Sequence, residues 1–182
     1  MARVPAAQND RSFYPLHMNS ALNHYSIRAA NTADVEIIAH QRAMIFQDMG
    51  ILPDGDTEAE ALLSATISWL HGLFAKQEYI GWLVQDREEI VAGGGIQLRE
   101  KGPIPNCCRI GRWGHILNIY VIPAHRRRGL ARLIMEQAMQ WSKANQLDHL
   151  TLTASSEGRP LYESLGFTSS ADMQLPLAEE ER

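Results

Sequence analysis

The sequence has only two cysteines, Cys107 and Cys108, and they are adjacent. A bridge between chain neighbours is strained and closes almost no loop, so both read as thiols in a reducing compartment. No metal-ligand spacing accompanies them, and the seven histidines form no zinc pattern, so no metal is expected. Apolar runs stay well short of the roughly 18 residues a membrane-spanning helix needs. The N-terminus lacks the continuous apolar core of a secretory leader, and a cytoplasmic location without membrane attachment is the expectation. Positive charge is not in excess either. The formal net charge of −4 argues against non-specific nucleic-acid binding. The phosphate loop G-x-x-x-x-G-K-[ST] is missing, which counts against a nucleotide hydrolase. Neither internal repeats nor low-complexity linkers occur.

What is present is ordinary globular material. The 182 residues are 45% hydrophobic and 21% charged, enough for one domain with a core that needs no staples. Residues 1–23 mix Pro, Asn, Ser and His without periodicity and read as a loosely ordered arm. Residues 24–178 read as one domain, and 179–182 as a charged tail. Tyr25–Arg28 alternates like a short strand. Asn31 to Asp34 offers capping residues, and Val35, Ile38, Ala39, Arg42, Ile45, Phe46 and Met49 recur at helical spacing up to Gly50. Met44 and Met49 read as core filler. A second helix carries Leu62, Ala65, Trp69 and Leu73 on one stripe. Residues 79–85 and 90–98 flank a polar turn and read as a hairpin. Gly93, Gly94 and Gly95 lie in its second strand, where glycine marks a bulge or a close backbone approach. A loop at 99–113 and a strand at 115–122 follow. Then come a helix from Gly129 to Asn145, a strand at 150–153, a short helix at 158–165, and one or two strands within 168–177. The order is an α/β (α+β) one, implying a mixed twisted sheet of six or seven strands with about four helices.

The most informative stretch joins the strand at 115–122 to the helix after it. Pro123, Ala124 and His125 lead into Arg126, Arg127 and Arg128, then Gly129, Leu130 and Ala131. Three arginines here stand at the wrong helix end, because the free N–H groups and the macrodipole already make an N-terminus positive. The crowding points to an anion, phosphate or pyrophosphate, held by backbone amides and guanidinium groups. Arg126-x-x-Gly129-x-Ala131 is weak alone, since such a pattern arises by chance in about one chain in six of this size. Its strand-before, helix-after context sharpens it. Gly129 would allow a phosphate close to the backbone.

A second segment lies about thirty residues on: Leu161, Tyr162, Glu163, Ser164, Leu165, Gly166 and Phe167. With both segments in this order, the chain resembles the GNAT superfamily of acyl-CoA-dependent N-acetyltransferases over residues 113–177, and its first half matches by pattern. The resemblance implies an acetyltransferase that moves an acetyl group from acetyl-CoA to a primary amine by direct attack. It implies that the amides of Arg127, Arg128, Gly129, Leu130 and Ala131, with the Arg126 side chain, hold the pyrophosphate. The strand would pair with the pantetheine arm through Ile119 and Val121, and Tyr162 would protonate the departing thiolate. Many members carry Asn seven residues before that tyrosine, where this chain has Ser155. Such domains often pair, so a homodimer is a further expectation.

The residue chemistry agrees. A lysine-like amine ionises near ~10.4 and must lose a proton before attack, while a phenol near ~10 stays protonated at neutral pH. His115, at the start of the strand, is the candidate base through a water. Asn118 is polar within an apolar run and needs a partner if buried. Trp113, Arg112, Arg99 and Glu100 are candidates to line the acceptor cleft. The cysteines have no positioned base, so nothing argues for a covalent acyl-enzyme. The alternative on the same fold is a non-catalytic acyl-CoA-binding or sensing module. The acceptor itself has no signature.

Overall fold

The computed structural model of the chain describes residues 24–52, 57–103 and 111–171. Its order is β1 (Tyr25–Ala29), α1 (Val35–Asp48), α2 (Thr57–Ala75), β2 (Tyr79–Asp86), β3 (Glu89–Lys101), β4 (Gly111–Val121), α3 (Leu130–Ala144), β5 (His149–Leu152) and α4 (Arg159–Ser164). The five strands form one sheet in the order β1-β2-β3-β4-β5, antiparallel except for the parallel β4–β5 pair. The α/β class is as expected, but the described sheet has five strands where six or seven were expected. The difference lies in 168–177: residues 168–171 are exposed polar backbone without strand pairing, and 172–177 lie outside the described residues, as do the arm at 1–23, the tail at 179–182 and both cysteines. Residues 168–171, Thr-Ser-Ser-Ala, offer no apolar alternation to bury against β5.

Both faces of the sheet are covered. On one, α1 and α2 pack Val35, Ile38, Ala39, Leu70 and Leu73 against Tyr79 and Leu83. On the other, α3 places Leu130, Leu133 and Ile134 on Val84, Val91 and Ala92, and Met135 and Ala138 on Trp82, Ile96 and Ile116. The alternation of Trp82, Leu83 and Val84 between the faces is the period-two signature of a sheet buried on both sides. Met44 and Met49 are not core filler, because they are 40% and 48% exposed. The buried face of α1 runs through Val35, Ile38, Ala39 and Gln41, and the C-terminal turn leaves the sheet. In α2 the buried stripe centres on Thr66, Leu70 and Leu73, and Ala65 faces outward.

The 3-10 turn Thr32–Asp34 that leads directly into α1 is fixed by a capping box. Asn31 Oδ1 accepts from Ala33 N, and Asp34 Oδ2 accepts from Asn31 N, both at 2.8 Å. Arg28 on β1 adds a bidentate pair to Asp34 at 2.7 and 2.8 Å, which holds that carboxyl below the usual carboxylate range. The pair ties the sheet edge to the helix whose later turns reach the site.

The glycines of β3 are close approaches. A Cβ on Gly95 would lie 2.6 Å from the ring carbon and hydroxyl of Tyr79 that face it and 2.8 Å from the Ile80 carbonyl. Backbone cannot yield as a flexible side chain can. Gly95→Ala should therefore destabilise the fold by about 3 kcal/mol, read as a lower denaturation midpoint at unchanged slope. An unshifted midpoint would contradict this packing.

Candidate functional site

The site is organised by a bulge in β4. Its pairing with β3 runs from Lys101↔Gly111 to Gly95↔Leu117, then resumes at Gly93↔Tyr120, so Asn118 and Ile119 together oppose Gly94. Asn118 carries the extra turn at φ +57, a conformation asparagine tolerates better than other side-chain-bearing residues. The bulge shifts which residues face which layer. Leu117 packs with α1 and α2, Asn118 bonds to α1, and Ile119 and Val121 join the α3 layer.

The bulge also ends the pairing with β5. The parallel ladder stops at Ile116↔Leu152, and β4 continues through 117–121 with no strand beside it among the described residues. Ile122 donates its N–H to Val91 O on β3, so by alternation Val121 turns its backbone groups to the open edge, as does Ile119 two residues back. Ile119 and Val121, the two residues expected from sequence, thus direct backbone groups to an edge with no strand beside it among the described residues. The Val121 carbonyl already accepts from Arg126 Nε at 3.0 Å.

The arginine turn closes one end of the cleft. Arg127 has φ +59, and Gly129 takes φ +87 as the residue before α3. Among the described residues, no side chain caps this helix, so its first-turn amides face outward with no partner. A Cβ on Gly129 would meet nothing within 4 Å, so the space above the turn is open. This is the geometry an anion needs at a helix N-terminus, and the residues fit a pyrophosphate. The guanidinium groups, however, are not all waiting for it. Arg126 pairs with Asp48 at the C-terminus of α1 and lies over Tyr120. Arg128 donates to Tyr25 Oη at 3.2 Å and to Ala124 O at 3.0 Å. Only Arg127 of the three has no side-chain partner among the described residues. The crowding is thus relieved in part by the protein itself.

Tyr162 lies on α4 with its ring in the α3-side cluster, edge-on to Phe167 at 6.3 Å. Its hydroxyl makes no hydrogen bond within the described residues, and burial raises its pKa. Ser155 does local work: its Oγ accepts from Gly158 N at 3.1 Å and its carbonyl from Arg159 N at 3.0 Å, which starts α4 and sets the tyrosine's position.

His115 faces the α1–α2 side, half-buried, its Nδ1 3.0 Å from Thr151 Oγ1. Burial first, then the guanidinium groups of Arg99 and Arg42, push its pKa below the ordinary value of 6.5. The ring is neutral at pH 7 and able to accept a proton. Arg99, expected near the cleft, holds Gln97 Oε1 at 2.7 and 3.1 Å, and Gln97 faces His115 across the strands. Trp113 is stacked between His149 at 4.4 Å and Lys101 at 4.1 Å. Arg112 is directed elsewhere, to Asn145 O at 3.3 Å.

Sequence reasoning missed the cluster behind the bulge. Arg42 Nη1 donates to Asn118 Oδ1 at 2.9 Å, and its guanidinium lies over Phe46 at 5.0 Å and Trp69 at 5.4 Å. Tyr79 Oη, the Gln41 amide and Asn118 Nδ2 are buried nearby without hydrogen-bond partners, and burial pushes the Tyr79 phenol up to about 12. The signal was an arginine on the apolar stripe of α1. Among the described residues no group of three or more His, Cys, Asp or Glu is placed to hold a metal, and no helix is long and apolar enough to cross a membrane.

A mixed sheet with a bulge in its fourth strand leads into an uncapped, glycine-led helix, an arrangement suited to an anionic ligand. Residues 45–167 match the acetyltransferase (GNAT) family, and the chain belongs to it. It is similar to a GCN5-related N-acetyltransferase from Ralstonia eutropha JMP134, at 28% identity and TM-score 0.78 over 85% of this chain and 99% of that one. A predicted acetyltransferase from Clostridium acetobutylicum, solved with acetyl-CoA, shares the fold at 24% identity and TM-score 0.76, over 87% and 99%. Glucosamine-6-phosphate N-acetyltransferase from Arabidopsis thaliana shares it more distantly, at 18% and 0.58, over 85% and 99%. No curated protein matches the chain.

The His115 environment makes a direct prediction. Its ring should titrate with a midpoint below 6.5 by NMR, because the folded protein disfavours the imidazolium. The same sign means that the stability it contributes is present above 6.5 and is lost as pH falls through the folded midpoint. A midpoint above 6.5 would contradict the cationic surroundings.

Proposed function

We propose that this protein transfers the acetyl group of acetyl-CoA to a primary amine by direct attack. The observation that supports the reading is that the β4 edge at Ile119 and Val121 has no strand beside it among the described residues, and that the helix following it, α3, has no side-chain cap. On this reading the amides of Arg127 to Ala131 hold the pyrophosphate, with Arg126 released from Asp48 to help. The β4 edge binds the pantetheine arm as a missing strand would be bound. Acetyl-CoA supplies the activated thioester.

His115 accepts the amine proton through a water, and its depressed pKa keeps it unprotonated and ready. The amine nitrogen bonds to the carbonyl carbon, the carbon–sulfur bond breaks, and the thiolate takes the Tyr162 proton. A thiol ionises near ~8.5, below a phenol near ~10, so this donation runs uphill and must be coupled to the proton leaving the amine. The raised pKa of Tyr162 ensures that the acid form is present at neutral pH.

The test is release of free CoA thiol from acetyl-CoA with a panel of amines. Tyr162→Phe should cut kcat by about a hundredfold or more while leaving acetyl-CoA affinity within about threefold. Equal losses in both would refute the acid role. Tight acetyl-CoA binding with no amine-dependent thiol release would leave the non-catalytic binding module as the function.

A further inference from the structure

Three cations, Arg42, Arg99 and Lys101, come to the α1–α2 face of the sheet. Arg42 reaches Asn118 on the bulge, and Arg99 lies diagonally across the ladder from His115. Lys101 sits over Trp113 on the same strand face as Arg99. Among the described residues no carboxylate pairs with any of the three. Two carboxylates at the ends of α1 are in use: Asp34 holds Arg28, and Asp48 holds Arg126.

Arg42 is the sharpest case. Its guanidinium is half-buried, lies over the rings of Phe46 and Trp69, and has one neutral amide oxygen as its hydrogen-bonding partner among the described residues. A guanidinium withdrawn from water without an anion leaves its desolvation uncompensated. Most of its N–H donors remain for a ligand. With aromatic rings against the guanidinium faces, its edge is the part left for a partner, and a planar two-oxygen acceptor suits that edge. Strand rise puts Asn118, which holds Arg42, roughly 10 Å along β4 from His115. That separation matches the length of a small bifunctional molecule.

We infer that the acceptor amine also carries a carboxylate, and that Arg42, steadied by Asn118, holds it while the amino group lies toward His115. This rests on the acetyl-transfer reading above and names its substrate class. The same cations favour the neutral form of an amine brought among them, which is the form that attacks. They disfavour polyamines and lysine-rich peptides by like-charge repulsion.

The experiment measures thiol release with saturating acetyl-CoA for α-amino acids and for ω-amino acids from glycine to 5-aminopentanoate, each against its carboxamide and its aminophosphonate. The best acid should exceed its amide in kcat/KM by tenfold or more. Arg42→Gln should abolish that advantage with acetyl-CoA affinity changed by less than about threefold, and Arg42→Lys should restore part of it. In parallel, the Arg42 Nε–Hε NMR signal of the CoA-loaded protein should shift on adding the acids and not the amides. Amides or phosphonates used as well as or better than acids would overturn the inference and leave acetyl transfer standing. So would an unmoved Arg42 signal, whatever the turnover. A shifted signal with no thiol release from any amine would support the carboxylate site and overturn acetyl transfer.

Discussion

The constraint on which the rest depends is the left-handed turn at Asn118. An extra residue in one strand of a ladder bends it and sharpens its twist. In this chain the bend falls two residues after β4 last pairs with β5 through Ile116 and Leu152, with Leu117 between. The open edge, the change of face between Leu117 and Ile119, and the outward backbone of Ile119 and Val121 all follow from that one residue. The buried Asn118 amide oxygen meets its hydrogen-bonding need by accepting from Arg42 of α1. The glycine opposite is a second requirement, since a Cβ on Gly94 would lie 2.3 Å from Ile119 Cδ1.

The bulge divides the molecule by chemistry as well as by shape. Toward α3 lie unpartnered backbone amides, the positive φ of Gly129 and the ring of Tyr162. Toward α1 and α2 lie Arg42, Arg99 and a neutral His115. The Asp48–Arg126 pair crosses between these regions, joining the end of α1 to the start of the arginine turn. Both side chains are partly exposed, at 38% and 39%, so the pair is weakly held and can exchange for a stronger anion.

What was legible in the sequence was local. The arginine turn, the glycine before α3 and the segment around Tyr162 are each contiguous, and the turn shows the backbone shape its residues suggested. Ile119 and Val121 came from the family resemblance carried by those two segments. The hairpin followed from its polar turn, although β3 and β4 each run further into the expected loop because they pair with one another. What was not legible depends on partners far apart in the chain. Arg42 and Asn118 are 76 residues apart, and Arg126 and Asp48 are 78 apart. Asn118 stood out only as a polar residue in an apolar run, and Arg42 only as a charge on an apolar stripe. The charge of the cleft could not be read at all, because it comes from α1 and β3 brought to one face. Periodicity alone also overstated the α1 core. It counted Met49 as inward, although the helix end has already left the sheet there.

The claim at the centre of this account is that the β4 edge and the α3 amides together form one docking surface for CoA. Amide hydrogen exchange measured with and without CoA tests it most directly. The account predicts that Ile119, Val121 and the amides of 127–131 exchange readily in the free protein and become protected together when CoA is added. Slow exchange at Ile119 and Val121 in the free protein, or protection confined to other strands on CoA addition, would contradict it.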